Sequence, residues 1–336
     1  MNISFPSLEK SHFPVMLNEV IKSCKPYKKG LVVDCTFGAG GYSEEILKSS
    51  ELKVIALDRD EKANKFAQDL KKKYQKKFIF FKEKFSNLDK ILSEDNKADV
   101  IIFDLGLSTI QIEDHKRGFS FKSREKIDMQ MGLSTISAED VINKLDEKEL
   151  EKVFKFFGEE KESKFIARSI IKERLKNKID TQTLVKIIDK TKRKKNFKVH
   201  SATKVFQALR IFVNKEISEL IFGLINAAKV LKKDGLLAVV TFHSLEDKIV
   251  KHFFKSLSEK KSISRYVPVM EQAETLFELI EKKAIVPSEK EINDNLPSRS
   301  AKLRYVKKKK DFYDFETDIL SQFKNLIEIE NFGDKL

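Results

Sequence analysis

A glycine-rich segment, DCTFGAGGYS, sets the first limit on the fold of this chain. It spans residues 34–43 and directly follows a short apolar run. Glycines at such a point let the backbone turn tightly and let a ligand approach closely. A second apolar run ends at Asp58, 17 positions after Gly41, where a carboxylate can accept hydrogen bonds from both hydroxyl groups of a ribose. The G-A-G-G spacing is not the G-x-G-x-x-G of hydride-transfer enzymes, and the pair fits either a dinucleotide or S-adenosylmethionine. The alternative role of Asp58 is to cap the helix that follows.

Short apolar runs alternate with helical patterns through the first hundred residues and return near the end. Buried strands are predicted at residues 31–37, 53–58, 77–81, 98–105 and 236–242, with a last antiparallel strand at 302–307. Strands that alternate with helices form a parallel sheet covered on both faces. The chain is therefore predicted to be an α/β protein with a mostly parallel sheet.

The alternation stops between residues 112 and 204, where the patterns are helical. A capping-box sequence begins at Ser137, and helical patterns follow at 147–157, 165–175 and 181–191. One long apolar helix is predicted over 205–231. We predict a sheet domain made of residues 1–111 and 205–336, interrupted by an all-helical domain at 112–204.

Composition narrows the class of partner. Sixty-six Lys and Arg residues against 52 acids give a net charge of +14, which favours a polyanion such as nucleic acid. The alternative is a general drift in composition towards Lys. Two cysteines cannot build a disulfide framework or a zinc site. No apolar run is long enough to cross a bilayer, and a cytoplasmic protein without a membrane partner is expected.

Asp104 ends the fourth predicted strand and opens the polar, glycine-containing loop FDLGLSTIQIEDHKRGFSF, residues 103–121. In an open parallel sheet, ligand and chemistry meet at the carboxyl ends of the strands. Asp104 is therefore a candidate site residue, although it could also serve only to order the loop.

The chain resembles a known family through blocks that run in order along most of its length. These blocks are HFPVMLNEV, DCTFGAGGYS, ALDRD, KFSNL, DLGLSTIQIEDHKRGFSF, IDMQM, VFQALRIFVNKEISEL, TFHSLEDKIVK and PSRSAKLR. They resemble the bacterial 16S ribosomal RNA (cytosine-N4) methyltransferases of the RsmH, or MraW, family. The resemblance implies a class I methyltransferase sheet domain, Rossmann-like, with a helical domain inserted after the fourth strand.

The resemblance also implies a cofactor, a substrate and a set of residues. S-adenosylmethionine would contact the chain through Gly40, Gly41, Tyr42, Asp58 (on the ribose), Phe85 (near the adenine), Asp104 and Gln111. The product would be S-adenosylhomocysteine, and no metal is expected. The target would be the exocyclic N4 amine of a cytosine in the decoding centre of the small ribosomal subunit. Tyr42 departs from the family, where many members have His.

The chemistry of that reaction gives two alternative roles each to Asp104 and His243. Asp104 could accept the hydrogen bond of the target amine, or it could contact the cofactor. His243, in TFHSLED, could act as a general base or could order its loop through Glu246 or Asp247. Methylation at C5 of cytosine would need a cysteine nucleophile, and Cys24 and Cys35 both lie away from the end of the fourth strand.

A basic run, TKRKKNFKVHSATK, covers residues 191–204. Its cations Lys192, Arg193, Lys194, Lys195 and Lys198 are candidate phosphate contacts, and a solvated surface is the alternative. Two rival functions stay open: a catalytically silent ribosome-assembly factor and a methyltransferase of another RNA base. The sequence does not decide whether naked rRNA or the assembled subunit is the substrate, and a homodimer is compatible with it.

Overall fold

The computed structural model describes residues 14–336 except 50, 109–110, 113, 122, 124, 193–199, 260–274 and 311–314. The chain divides into two compact units. The sheet unit comprises the residues up to 109 together with 223–314, and the helical unit comprises 110–222 together with 315–336.

One seven-stranded sheet forms the sheet unit, in the order β3-β2-β1-β4-β5-β7-β6. The strands are β1 (Lys29–Asp34), β2 (Glu51–Asp58), β3 (Phe78–Lys82), β4 (Ala98–Asp104), β5 (Leu231–Thr241), β6 (Phe277–Leu279) and β7 (Lys302–Lys308). The pairings among β1 to β5 are parallel, and β7 runs antiparallel to both β5 and β6. The predicted parallel sheet with a last antiparallel strand is confirmed. The three-residue β6 was not predicted, because it is too short to show a pattern.

Thirteen α-helices lie in the described part of the chain. They are α1 (Leu17–Cys24), α2 (Gly41–Ser49), α3 (Ala63–Tyr74), α4 (Leu88–Ile91), α5 (Ala138–Lys144), α6 (Glu147–Phe157), α7 (Ser163–Arg174), α8 (Thr181–Thr191), α9 (Thr203–Asn214), α10 (Glu216–Val230), α11 (Ser244–Ser258), α12 (Glu289–Asp294) and α13 (Glu316–Glu330). The boundary between the two units falls within α10.

The core of the sheet unit explains why the apolar runs predicted strands. Val32, Val54, Val100 and Ile102 come from three adjacent strands and lie in one buried cluster. Each such side chain contributes about 1.5–3 kcal/mol when it is fully buried. Because both faces of the sheet are covered, these strands read as continuous apolar runs.

Local sequence signals set the helices of the helical unit. Ser137 forms a capping box with Asp140, as the sequence predicted, and Asp146 forms another with Glu149. Each box satisfies backbone N–H groups that a helix start leaves without a partner. The predicted bounds of α6 and α8 match the structure.

The predicted single helix over 205–231 is wrong. It is two helices, α9 and α10, separated at Lys215, which has a left-handed backbone with φ of 48°. Neighbouring Asn214 is buried and satisfies both ends of its amide: it accepts from Met131 N–H and donates to the carbonyl oxygen of Met129. The break therefore binds the loop that carries the IDMQM block, and no glycine or proline marks it in the sequence.

The helical unit is larger than the predicted insertion at 112–204. The helical unit extends to residue 222, since α9 packs against α5 and α6. It also includes residues 315–336, since α13 packs against α6. Both segments were predicted to belong to the sheet domain. Among the described residues, no helix combines the length and the apolar character needed to cross a bilayer.

Candidate active site

The site lies at the carboxyl edge of the sheet, where the direction of the strand order reverses. β1 and β4 are neighbours, yet the chain continues from β1 towards β2 and from β4 towards β5. Such a switch point leaves a crevice in which open α/β sheets bind their ligands. Asp34, Asp58 and Asp104 end β1, β2 and β4 respectively. Three carboxyl groups on adjacent strands therefore meet this edge.

The glycine-rich turn after β1 is tied to the strands on both sides of it. Cys35 N–H donates to the carbonyl oxygen of Ile102 on β4, and Phe37 N–H donates to that of Leu57 on β2, both at 2.9 Å. The Thr36 hydroxyl accepts from Asp104 N–H at 2.6 Å. These bonds hold the turn in place before any ligand arrives.

The three glycines of the turn differ in what surrounds them. At Gly38, with φ of 54°, a Cβ atom would meet only Ser108 Cβ at 3.7 Å. At Gly40, with φ of 85°, it would lie 2.7 Å from the Phe37 ring, and at Gly41 it would lie 2.0 Å from Pro14 Cγ. Gly40 and Gly41 are thus required by packing within the protein, whatever their backbone offers a ligand. Gly38 is the glycine whose missing side chain leaves space.

Asp58 holds the glycine-rich turn through two hydrogen bonds and can accept further hydrogen bonds from a ligand. Its Oδ2 accepts from Gly38 N–H at 2.7 Å and its Oδ1 accepts from Asp60 N–H at 2.8 Å. A carboxylate has about four lone-pair sites, so each oxygen can accept one more hydrogen bond, as two ribose hydroxyls require. Burial raises the pKa of Asp58 to about 6, against the effect of these two bonds. The alternative role as a cap of α3 does not hold, because the α3 N-cap residue is Lys62.

Asp104 has an unsatisfied atom. Its Oδ1 is buried and has no hydrogen-bond partner among the residues that the structure describes. Burial first, then the charges of Asp34 and Glu246, raise the pKa of Asp104 well above its usual value. Its carboxyl also bonds the Tyr42 hydroxyl. That hydrogen bond lowers the pKa of Asp104, against the larger effect of burial.

Asp34 was not singled out from the sequence, and the structure makes it part of the site. It is fully buried, accepts from the Ser43 hydroxyl at 2.7 Å, and contributes to the raised pKa of Asp104. Burial raises the pKa of Asp34 itself to about 6. Its position as the last residue of β1, equivalent to Asp58 and Asp104 on their strands, was the available signal.

The remaining predicted cofactor residues have different environments. Tyr42 is 3% exposed, so its ring belongs to the core and its hydroxyl supports Asp104. Phe85 follows β3 and packs edge-on against Phe103 at 5.2 Å between ring centroids. Gln111 is buried in the helical unit. Its role in the cofactor site stays a prediction.

His243 orders its loop, one of the two roles proposed from the sequence. It is the N-cap of α11: its Nδ1 accepts from Glu246 N–H at 3.4 Å, and Glu246 Oε2 accepts from the N–H groups of Phe242 and His243. Glu246 thereby becomes a buried acid near the end of β5, and its charge contributes to the raised pKa of Asp104.

Asp247 joins two of the sequence blocks. Its carboxylate lies 2.7 Å from Arg304 Nε and 3.0 Å from Lys302 Nζ, both on β7. Burial opposes its ionisation, but these two cations hold the pKa of Asp247 below its usual value. The TFHSLED and PSRSAKLR blocks therefore meet as an ion-pair network that fixes α11 to the sheet.

A ligand that fits this edge is a cation with a ribose. Asp34 is buried, Asp58 and Asp104 are half-buried, and all three have raised pKa values. A nearby positive charge stabilises such groups in their charged form, and S-adenosylmethionine carries a sulfonium, an ammonium and a ribose. The acceptor capacity of Asp58 matches its ribose hydroxyl groups, and the unsatisfied Oδ1 of Asp104 is an acceptor for an N–H donor at the end of β4. The fold and these residues define a class I S-adenosylmethionine-dependent methyltransferase.

Comparison with known proteins gives the family. The chain belongs to the MraW methylase family, whose model matches residues 9–309. Ribosomal RNA small subunit methyltransferase H of Rickettsia bellii (strain OSU 85-389) is 43% identical over 305 residues, which cover 90% of this chain and 100% of the relative. The protein of the same name from Rickettsia akari (strain Hartford) is 43% identical over 303 residues, covering 89% and 99%. A solved rRNA methylase from Streptococcus thermophilus aligns with a TM-score of 0.35 and 14% identity, covering 84% of this chain and 89% of that one.

Cofactor affinity is expected to fall in acid. Because burial holds the pKa values of Asp34 and Asp58 at about 6, both bind protons below that pH, and a cation must displace them. Affinity for S-adenosylmethionine should therefore be weaker below pH 6 and rise towards neutral pH, by up to about tenfold per pH unit for each proton released. Calorimetric titration from pH 5 to 8 measures this. S-adenosylhomocysteine, which lacks the sulfonium charge, should show a shallower slope, and equal slopes for the two would refute the charge argument.

Proposed function

We propose that this methyltransferase modifies the small-subunit ribosomal RNA, and that its target is the exocyclic N4 amine of a cytosine in the decoding centre. Identity of 43% across the full length of a ribosomal RNA small subunit methyltransferase carries the substrate class. The buried, unsatisfied acceptor atom at the end of β4 supports an amine as the methylated group.

The amine of cytosine is a poor nucleophile, because its lone pair is delocalised into the ring. S-adenosylmethionine supplies the methyl group on a sulfonium centre, so the enzyme has to position the nitrogen and accept a hydrogen bond from it. Positioning alone is worth up to about 7–11 kcal/mol in the best intramolecular cases. In this proposal the positive charge of the cofactor would favour the charged form of Asp104, and that carboxylate accepts a hydrogen bond from the amine.

Two alternatives are disfavoured by the residues present. Methylation at C5 needs a thiolate, whereas Cys24 and Cys35 are both buried and burial raises the pKa of Cys24 to about 11. A silent assembly factor would not need Asp58 and Asp104 in a geometry that keeps acceptor atoms available. Methylation of another RNA base stays an outcome of the experiments below.

We propose that the basic run of the helical unit contacts RNA phosphates. Arg193, Lys194, Lys195 and Lys198 lie outside the described residues. Lys192 is described, and its ammonium lies 2.6 Å from buried Glu160 and donates to the Ser201 carbonyl oxygen. Lys192 therefore anchors the start of the run, and phosphate contacts are proposed for the other four cations.

Neutralising Lys194 and Lys195 together is expected to weaken binding of the subunit RNA without changing the methylated position. Phosphate contacts act through counterion release and carry no base specificity. The log–log slope of affinity against salt should fall by about 0.7–0.9 for each phosphate that the variant no longer neutralises. Filter binding across a salt series measures the slope, and a Lys155→Ala, Lys164→Ala double variant, exposed in the same unit, is the matched control. An unchanged slope with full activity would show a solvated surface.

The proposed function is tested by supplying labelled S-adenosylmethionine to small subunits purified from cells that lack this enzyme. Transfer of label to the ribosomal RNA is expected, and naked RNA in a parallel reaction shows whether the assembled subunit is required. The proposal would be refuted if the label appeared only in protein, or if properly folded enzyme transferred no label at all. We place the reaction in the cytoplasm without a membrane partner, and sedimentation distinguishes a monomer from a homodimer.

A further inference from the structure

A cavity of about 610 Å³ lies at the edge of the sheet unit opposite the active site. It is formed by α1 and the segment that follows it, by α2 and by the amino end of β2, with Glu51, the first residue of β2, in its lining. β2 runs from Glu51 to Asp58, which is a distance of roughly 23 Å at about 3.3 Å per residue. A ligand in this cavity therefore does not compete with the cofactor.

The lining of the cavity suits a flat, apolar group. Its apolar part consists of Ile21, Cys24, Ile46, Leu47 and Leu52. The Tyr27 ring adds an aromatic surface, which is held in place because its hydroxyl donates to the Asp234 carbonyl oxygen at 2.7 Å. Cavities of roughly 300–1,000 Å³ with apolar walls and a few polar groups are typical of small-ligand sites.

Lysines dominate the rest of the lining. Lys48 pairs with Glu44, and Lys77 pairs with Glu51 at 3.3 Å. Lys25 and Lys28 also line the cavity and are exposed, and within the described chain neither has a carboxylate within ion-pair distance.

The dipole of a helix does not account for both of these lysines. Cations stabilise the last turn of a helix, and Lys48 lies in that turn of α2. Lys25 is the C-cap residue of α1, but Lys28 lies four positions beyond Cys24, the last residue of that helix. Two cations beside an apolar, aromatic cavity form the combination that binds nucleotides of single-stranded RNA, through stacking of the base and contact with the phosphate.

We infer that this cavity is a second RNA site, which takes one unpaired nucleotide of the substrate, with its base against Tyr27 and its flanking phosphates on Lys25 and Lys28. The inference rests on the proposed ribosomal RNA substrate. The sheet unit would then contact the RNA at a site separate from the basic run of the helical unit and from the active site at the carboxyl edge of the sheet.

A Lys25→Ala, Lys28→Ala double variant tests this site in the full-length enzyme. Binding of a fluorescein-labelled oligouridine, followed by anisotropy across a salt series, should weaken, and its log–log salt slope should fall by about 1.4, or about 0.7 for each single-strand phosphate contact. The matched control is Lys282→Ala, Lys283→Ala, two exposed lysines that follow β6 in the same unit. Ile21→Glu, at a half-buried position, blocks the apolar part with a negative charge and should weaken binding as well.

Three readouts separate the outcomes. Unchanged cofactor affinity in calorimetry shows that the variants are folded. If the wild-type enzyme methylates subunits and the Lys25/Lys28 variant keeps the wild-type salt slope and KM, the cavity inference is wrong and the proposed function stands. Competition by free cytidine monophosphate as strong as that by the oligonucleotide would overturn the RNA assignment, because it would identify a site for a free nucleotide.

Discussion

Asp104→Ala is expected to reduce the rate of methyl transfer at saturating cofactor by about 10²–10⁴-fold, the range for a positioned side chain that accepts a proton or hydrogen bond in a transition state. The reason is the buried Oδ1 at the end of β4, which has no partner among the described residues and faces the site of chemistry by its place in the fold. Single-turnover transfer to small subunits measures the rate.

Asp104→Asn is the control for that experiment. It keeps the shape of the side chain and one neutral acceptor oxygen but cannot carry the negative charge, so it should lose activity to a smaller degree than Asp104→Ala. Because an unsatisfied buried group costs about 1–3 kcal/mol, neither variant should lower the melting temperature. A normal rate at saturation, with only the cofactor affinity weakened, would restrict Asp104 to cofactor binding and refute its catalytic role.

Asp58→Ala is expected to weaken S-adenosylmethionine binding by about 1.5–3 kcal/mol, or roughly 10–150-fold, the range for hydrogen bonds to a charged group. The carboxylate holds Gly38 N–H and Asp60 N–H, so its loss also frees the turn. Calorimetric titration of the cofactor measures the affinity, and the transfer rate at saturating cofactor should change much less.

Asp69→Ala supplies the matched loss of one charge, because Asp69 is on α3 in the same unit and its side chain is 66% exposed. The control should bind the cofactor as the wild type does. If Asp58→Ala binds the cofactor normally, the carboxylate serves only to clamp the turn, and the ribose must be held elsewhere.

Much of the sheet unit could be predicted because its signals are local. Buried parallel strands read as apolar runs, and Asp58 and Asp104 end such runs. In the helical unit, the capping box of α5 is also local, because Ser137 and its partner Asp140 are three residues apart. The break at Lys215 could not be predicted, because Asn214 stabilises it through bonds to Met129 and Met131, more than eighty residues away.

The pKa shifts of the site residues also could not be predicted from the sequence. The raised pKa of Asp34 depends on burial, and that of Asp104 depends on burial and on the charges of Asp34 and Glu246, which other parts of the chain bring close to it. Likewise, the sequence could not tell that a side chain at Gly40 would clash with the Phe37 ring, whereas one at Gly38 would make only an ordinary contact with Ser108. Packing partners decide such roles, and they become visible only in three dimensions.

Mass-spectrometric mapping of the methylated nucleotide tests the central claim most directly. Small subunits from cells without this enzyme are incubated with the enzyme and S-adenosylmethionine, and the RNA is digested to nucleosides and to sequenced fragments. We expect N4-methylcytidine at one position in the decoding centre, absent when the Asp104→Ala enzyme is used. A methyl group on C5 of cytosine, on another base, or at a distant position would contradict the proposed reaction.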